Sequence, residues 1–160
     1  MFGLFSKKSQ LLAPLDGSVI AIDQVPDAVF AQKTVGDGAA IADVTGDLVC
    51  APADGSLEMV FHTNHAFVVK TTDELEVLVH IGINTVELKG QGFERLVEPG
   101  TAVKAGQPII RIDRSVILGA GLSLVTPVVI TNGALLSSLE AAVGKTVKAG
   151  QDMLLSYKQK

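Results

Sequence analysis

The sequence predicts an all-β fold, an antiparallel β-sandwich or barrel with internally duplicated topology and one or two short helical turns. Three observations predict it. Short runs rich in β-branched residues recur at near-regular spacing along the chain. Sixteen glycines in 160 residues supply the tight turns between them. And two phrases of the sequence occur twice.

The first phrase, Ala13-Pro14-Leu15-Asp16-Gly17-Ser18, returns as Ala51-Pro52-Ala53-Asp54-Gly55-Ser56. The second, Gly100-Thr101-Ala102-Val103-Lys104-Ala105-Gly106-Gln107, returns as Gly144-Lys145-Thr146-Val147-Lys148-Ala149-Gly150-Gln151. The offsets differ and each phrase has two copies only, so a solenoid is not implied. One fold that uses the same turn-plus-strand device on two related sides accounts for both. Between these markers, Ser18–Ile22, Leu57–Phe61, Ala66–Lys70, Leu75–Ile83, Pro108–Ile112 and Thr126–Ile130 read as strands bounded by turn residues. Only Ala134–Ala142 reads as helix, barely two turns long. No linker divides the chain, so residues 11–160 form a single domain after a short apolar-basic tail at 1–10.

Composition excludes several functions. A net charge of −4 with scattered Lys and Arg offers no basic face, which argues against nucleic acid. Hydrophobic residues make up 48%. Yet the most apolar stretch, Val116–Ile130, contains Ser123, Thr126 and Pro127 and falls short of the roughly 20 apolar residues a span needs; it reads as buried strand and turn. Met1–Lys8 has too short an apolar run for a signal peptide. Phe2, Leu4 and Phe5 before Lys7 and Lys8 allow at most a weak membrane contact, and a frayed end is the plainer reading. The single cysteine, Cys50, cannot bridge internally and fits a structural strand position in a reducing cytoplasm.

The chemistry narrows to three histidines, His62, His65 and His80. Leu75, Val77, Val79 and Ile81 alternate and should face the core, leaving His80 on the other face with Glu76 and Leu78. An imidazole on a rigid strand, beside a glycine whose bare backbone admits a partner, suits group transfer. Phosphoryl transfer asks mainly for positioning and for donors to the equatorial oxygens. His65 can be such a donor, and the Thr63 hydroxyl can orient its ring. Taken singly, each histidine reads first as a solvated or hydrogen-bonded side chain, and His62 has no supporting motif. Periodicity alone leaves the function open.

The stretch Thr63-Asn64-His65-Ala66-Phe67, followed by Val79-His80-Ile81-Gly82-Ile83-Asn84-Thr85-Val86-Glu87-Leu88-Lys89-Gly90-Gln91-Gly92-Phe93, resembles the signature region of glucose-family enzyme IIA domains of the bacterial sugar phosphotransferase system. Both Ala-Pro-x-Asp-Gly phrases, Val25-Pro26-Asp27, Phe30, Val35-Gly36-Asp37-Gly38 and Leu124-x-Thr126-Pro127-Val128-Val129-Ile130 resemble the family in order, so the likeness covers nearly the whole chain.

The resemblance implies a duplicated β-sandwich and a cytoplasmic, monomeric phosphocarrier without a cofactor. It maps the phosphorylated histidine to His80, the assisting histidine to His65 and the neighbouring hydroxyl to Thr63. It implies the phosphohistidine form of HPr as donor, itself charged by enzyme I from phosphoenolpyruvate, and a IIB-domain cysteine as acceptor. An apolar patch docks both partners in such domains, with Phe30, Phe67, Leu78 and Val86 matching here. Permeases or kinases bound by the unphosphorylated form are a further class of partner. Asn84 stands where many relatives have Asp, and Leu78 where an aromatic is frequent.

Two rival classes fit less well. A LytM-like metallopeptidase needs a His-x-His pair with further ligands, and Leu78 occupies the place of the first histidine. No metal is expected in the free protein, although His65 and His80 could share zinc with a partner's carboxylate. A biotinyl or lipoyl carrier presents one lysine at a hairpin tip, whereas Lys104 and Lys148 lie in phrases that occur twice.

Overall fold

Thr, Val and Ile favour the extended, half-buried backbone of a sheet, and the chain uses them that way almost throughout. A computed structural model describes residues 9–160. Fourteen strands within them form three antiparallel sheets. Chain order runs β1 (Ser9–Leu12), β2 (Gly17–Ala21), β3 (Asp37–Ala42), β4 (Leu48–Cys50), β5 (Gly55–Val60), β6 (Ala66–Thr71) and β7 (Glu76–His80). It continues with β8 (Phe93–Arg95), β9 (Ala102–Val103), β10 (Pro108–Ile112), β11 (Thr126–Ile130), β12 (Leu136–Ala141), β13 (Thr146–Val147) and β14 (Met153–Gln159). Helices are few: α1 (Ala28–Ala31), α2 (Arg114–Gly119) and three 3-10 turns.

The main sheet has the order β13-β2-β3-β11-β7-β6-β5-β9 and curls into a half-barrel. Its order reads the same from both ends once β2 is matched to β5, β3 to β6 and β13 to β9. The repeated phrases occupy these matched places. Gly17 and Ser18 pair with Val147 and Thr146, and Gly55 and Ser56 pair with Val103 and Ala102. The aspartates of the first phrase do the same work twice: Asp16 accepts the Ala149 N–H at 2.7 Å, and Asp54 the Ala105 N–H at 2.8 Å. Gly150 N–H donates to Ala13 O at 2.9 Å, Gly106 N–H to Ala51 O at 2.8 Å. Each copy of one phrase is thus locked to the distant copy of the other. The duplication is a property of the fold.

Two apolar clusters flank the main sheet. The larger, with Leu57, Phe67, Val69, Leu75, Val77, Val79 and Ile81, fills the space between the sheets. The smaller, with Ile22, Val25, Phe30, Leu78, Ile83 and Val129, covers the other face. The alternation of Leu75, Val77, Val79 and Ile81 therefore points inward as predicted, while the opposite face is covered too.

Three expectations are corrected. Ala134–Ala142 is not a helix: after a short 3-10 turn, Leu136–Ala141 is β12, paired with β14. Leu136 and Leu139 have helical spacing, but the ladder to β14 wins. Within Val116–Ile130, read as strand and turn, residues up to Gly119 belong to α2, capped by the Asp113 carboxylate accepting the Ser115 and Val116 N–H groups. Ser9 and Gln10 belong to β1, opposite Tyr157 and Ser156, and not to the tail. The remaining tail, with Phe2, Leu4, Phe5, Lys7 and Lys8, lies outside the described residues. Cys50 is a buried residue of β4, where burial and then Asp16 push its thiol up to about 11.

Candidate active site

His80 is the last residue of β7, so its backbone is fixed by the β6 ladder at Ala66, one residue past the end of the β11 ladder at Val79, while its side chain stands at the sheet's end. The chain then turns sharply. Gly82 has φ +76°, and an added Cβ would lie 2.6 Å from Thr85 Cγ2 and 2.8 Å from Ser123 O. Only glycine fits there. The bare backbone at 82 serves this internal packing, a different use from the partner access read from the sequence. It also aims a carbonyl: His80 Nδ1 lies 2.8 Å from Gly82 O. A carbonyl accepts and cannot donate, so Nδ1 carries the proton and Nε2 keeps the lone pair.

His65 reaches the same place from the turn between β5 and β6. Asn64 N–H donates to Phe61 O at 2.7 Å, and Phe61 N–H to Ala66 O at 2.9 Å. Asn64 takes the left-handed conformation at φ +62°, which asparagine tolerates better than most residues. Ala66 pairs with His80, and Ile81 N–H donates to His65 O at 2.7 Å. The two rings therefore meet edge to face, centroids 5.0 Å apart and planes at 82°. Thr63 Oγ1 lies 2.5 Å from His65 Nδ1. The structure brings all three predicted residues together, and leaves His62 exposed outside the group.

Burial sets the charge state. His65 is 4% exposed, and desolvation, with repulsion from charge on His80 and His62, pushes its pKa down to about 4. His80 is half-buried and also lowered, mainly by desolvation, against the opposing effects of the Gly82 carbonyl and Asp27. Both rings are neutral at pH 7. A neutral imidazole with a free Nε2, next to a second neutral ring held by a hydroxyl, can accept an electrophile and offer it one N–H donor.

The four residues matched to a docking patch part company. Phe67 is 0% exposed inside the larger cluster, so it is core and cannot touch a partner. Its truncation would cost about 3–5 kcal/mol in stability. Leu78 is 7% exposed and acts as a floor beneath the site. Phe30, equally buried, packs its ring 5.0 Å from that of His80. Val86 is 51% exposed. Sequence reasoning missed Phe61, whose half-buried ring meets His65 edge-on at 5.3 Å. Its only signal was its place at the start of the His65 turn. Among the described residues no three His, Cys, Asp or Glu cluster as a metal site. A cleft of about 550 Å³ bounded by Asp47, Phe93, Arg111 and Asp113 holds neither histidine.

Known proteins resemble this chain closely. The family model of the phosphoenolpyruvate-dependent sugar phosphotransferase system, EIIA 1, matches residues 9–135. The glucose-specific EIIA component of Bacillus anthracis is 41% identical over 162 residues, covering 100% of this chain and 98% of that protein. That of Borreliella burgdorferi is 44% identical, covering 95% and 82%. The N-acetylglucosamine-specific EIICBA component of Klebsiella pneumoniae is 45% identical over 94% of this chain, which spans only 23% of that longer protein. The solved structure of glucose permease IIA from Mycoplasma capricolum superposes with a TM-score of 0.85 at 35% identity, covering 96% of this chain and 99% of that one. The chain belongs to the EIIA 1 family of the phosphoenolpyruvate-dependent sugar phosphotransferase system, and is a phosphocarrier component of that system.

Proposed function

We propose that the chain takes a phosphoryl group from the phosphohistidine of HPr onto Nε2 of His80 and passes it to the cysteine of a IIB domain, which phosphorylates the sugar taken up by the paired IIC domain. The observation that carries this reading is the hydrogen bond from His80 Nδ1 to Gly82 O, which leaves one defined nucleophilic nitrogen. In the first step the Nε2 lone pair forms a bond to phosphorus as the donor's P–N bond breaks, its electron pair returning to the donor ring. In the second, a cysteine thiolate attacks phosphorus and the pair returns to Nε2 of His80. The first step exchanges one neutral imidazole for another and the second exchanges the His80 imidazole for a thiolate, so neither needs a net proton transfer at Nε2.

His65 serves as the positioned donor. If the Thr63 hydroxyl donates to Nδ1, the His65 proton sits on Nε2 and can bind a phosphoryl oxygen, stabilising charge that spreads over those oxygens in the transition state. Burial keeps His65 neutral, so it donates without competing as a cation. Partners dock on the apolar margin formed by exposed Val86 and the edges of Phe30 and Phe61. Such a face favours an unphosphorylated partner-bound state with permeases or kinases, because a new dianion disfavours apolar docking. The EIICBA name of the Klebsiella relative, which sets an A part beside B and C, supports a IIB acceptor. Among the described residues no helix is long and apolar enough to cross a membrane, and the reading assigns the protein to the cytoplasm.

The test is incubation with phosphoenolpyruvate, enzyme I and HPr. The wild type takes up an acid-labile phosphate and His80→Gln takes up none; uptake by the variant at the normal rate would overturn the assignment.

A further inference from the structure

Arg95 ends β8, a strand of the β4-β10-β8 sheet, whereas both histidines hang from the main sheet. Its guanidinium nevertheless reaches the His65 turn. Nε donates to Asn64 Oδ1 at 2.9 Å, and one terminal nitrogen donates to Phe61 O at 3.4 Å. The other terminal nitrogen pairs with Glu98 at 3.2 Å. Phe61 O is the same carbonyl that accepts the Asn64 N–H closing the turn. One rigid fork thus holds both ends of a turn whose middle carries Thr63 and whose left-handed Asn64 immediately precedes His65.

We infer that Arg95 is a positioning residue for phosphoryl transfer: by clamping Asn64 and Phe61 it fixes the Thr63–His65 pair against His80. This deepens the role proposed above for His65 and rests on it. The geometry calls for arginine specifically, since a lysine ammonium has no fixed fork with which to span two acceptors. The Glu98 contact does not explain the arrangement. Glu98 is 76% exposed, and such surface pairs contribute little. Asparagine tolerates the left-handed backbone at position 64, and the clamp on its side chain holds the turn in that conformation.

The experiment uses the full chain with Arg95→Met, and Asn64→Gly as a second variant. Asn64→Gly keeps the left-handed turn accessible and removes only the side-chain acceptor. In the free protein, the ¹⁵N signals of the His65 ring report its tautomer without any partner. The wild type shows one tautomer, and both variants show a mixture while His80 keeps its proton on Nδ1. With HPr and IIB supplied, acceptance by His80 persists and onward transfer falls about tenfold to a hundredfold, the scale of a small misplacement of a reacting group. Adding Arg95→Met to His65→Gln produces no further loss, and Glu98→Gln behaves as wild type. Unchanged His65 signals in both variants, or losses that add in the double variant, overturn the inference. A wild type that accepts no phosphate at all would instead sink the carrier reading, and the ring signals would still decide whether Arg95 orders His65.

Discussion

His80 Nδ1 stands 2.8 Å from the carbonyl oxygen of Gly82, two residues further along the same chain. The contact is local, yet it depends on a backbone conformation that L side chains rarely adopt, at φ +76°. Local geometry thereby decides which ring nitrogen can act. Gly82→Ala should lower stability by at least about 2 kcal/mol, from positive-φ strain and overpacking against Thr85 and Ser123. It should also slow phosphate uptake as the carbonyl moves. Chemical denaturation and an uptake assay check both; a wild-type midpoint would show that the turn does not need glycine.

His65→Gln separates the two half-reactions. Acceptance at His80 should survive, and onward transfer to IIB should drop roughly 10²- to 10³-fold, the usual loss for one preorganised donor. Thr63→Val should weaken onward transfer less, because it loosens the ring without removing it. Rapid-quench kinetics of each half-reaction measure this, and unimpaired onward transfer in His65→Gln would remove that residue from the mechanism.

Acid should destabilise the protein in a defined window. The pKa of His65 is about 4 folded, against an ordinary 6.5, so the folded state binds its proton less readily than the unfolded state does. Its contribution is full above about pH 6.5 and is lost as pH falls from there towards 4. The loss is on the order of 3 kcal/mol, and the lowered His80 acts in the same direction. Denaturation midpoints at pH 7, 5.5 and 4.5 follow it, with His65→Gln showing a shallower slope. An equal slope in that variant would contradict the assignment. Phosphate uptake should continue below pH 6.5, where an ordinary imidazole is already mostly protonated.

Gly150→Ala tests the duplicated scaffold apart from the chemistry. Gly150 has φ +71°, and an added Cβ would lie 2.7 Å from the Cα of Gly106, its counterpart in the other copy. The backbones touch where the two halves cross. A loss of about 2 kcal/mol or more is expected, with uptake by the remaining folded protein unchanged. An undiminished denaturation midpoint would mean that the crossing is loose.

Strands such as Pro108–Ile112 and Thr126–Ile130 were legible because β-branched residues and turn chemistry agree there. β3 was not, since Asp37-Gly-Ala-Ala-Ile-Ala is made of small residues whose strand state comes from its neighbours β2 and β11. Leu136-Ser-Ser-Leu139 has helical spacing over too few residues to resist the pairing with β14. The Asp113-Arg-Ser signal of the α2 cap was present but stood beside Val116 and Ile117, which suggested strand. At the site, the resemblance indicated His80, His65 and Thr63, and their meeting in space arises from the β6–β7 ladder. The patch was less legible because alternation suggests one covered face, whereas this sheet is covered on both. Leu78 is consequently buried on the second face, whereas Phe67, paired with Val79, lies on the inward face, and Phe61 and Arg95 came to light only through contacts across the turn.

The most direct measurement is the identity of the phosphorylated nitrogen. After loading ¹⁵N-histidine-labelled protein through enzyme I and HPr, the ³¹P–¹⁵N coupling should fall on Nε2 of His80, with Nδ1 still protonated. Phosphate on Nδ1 of His80, or on any other residue, would contradict the account.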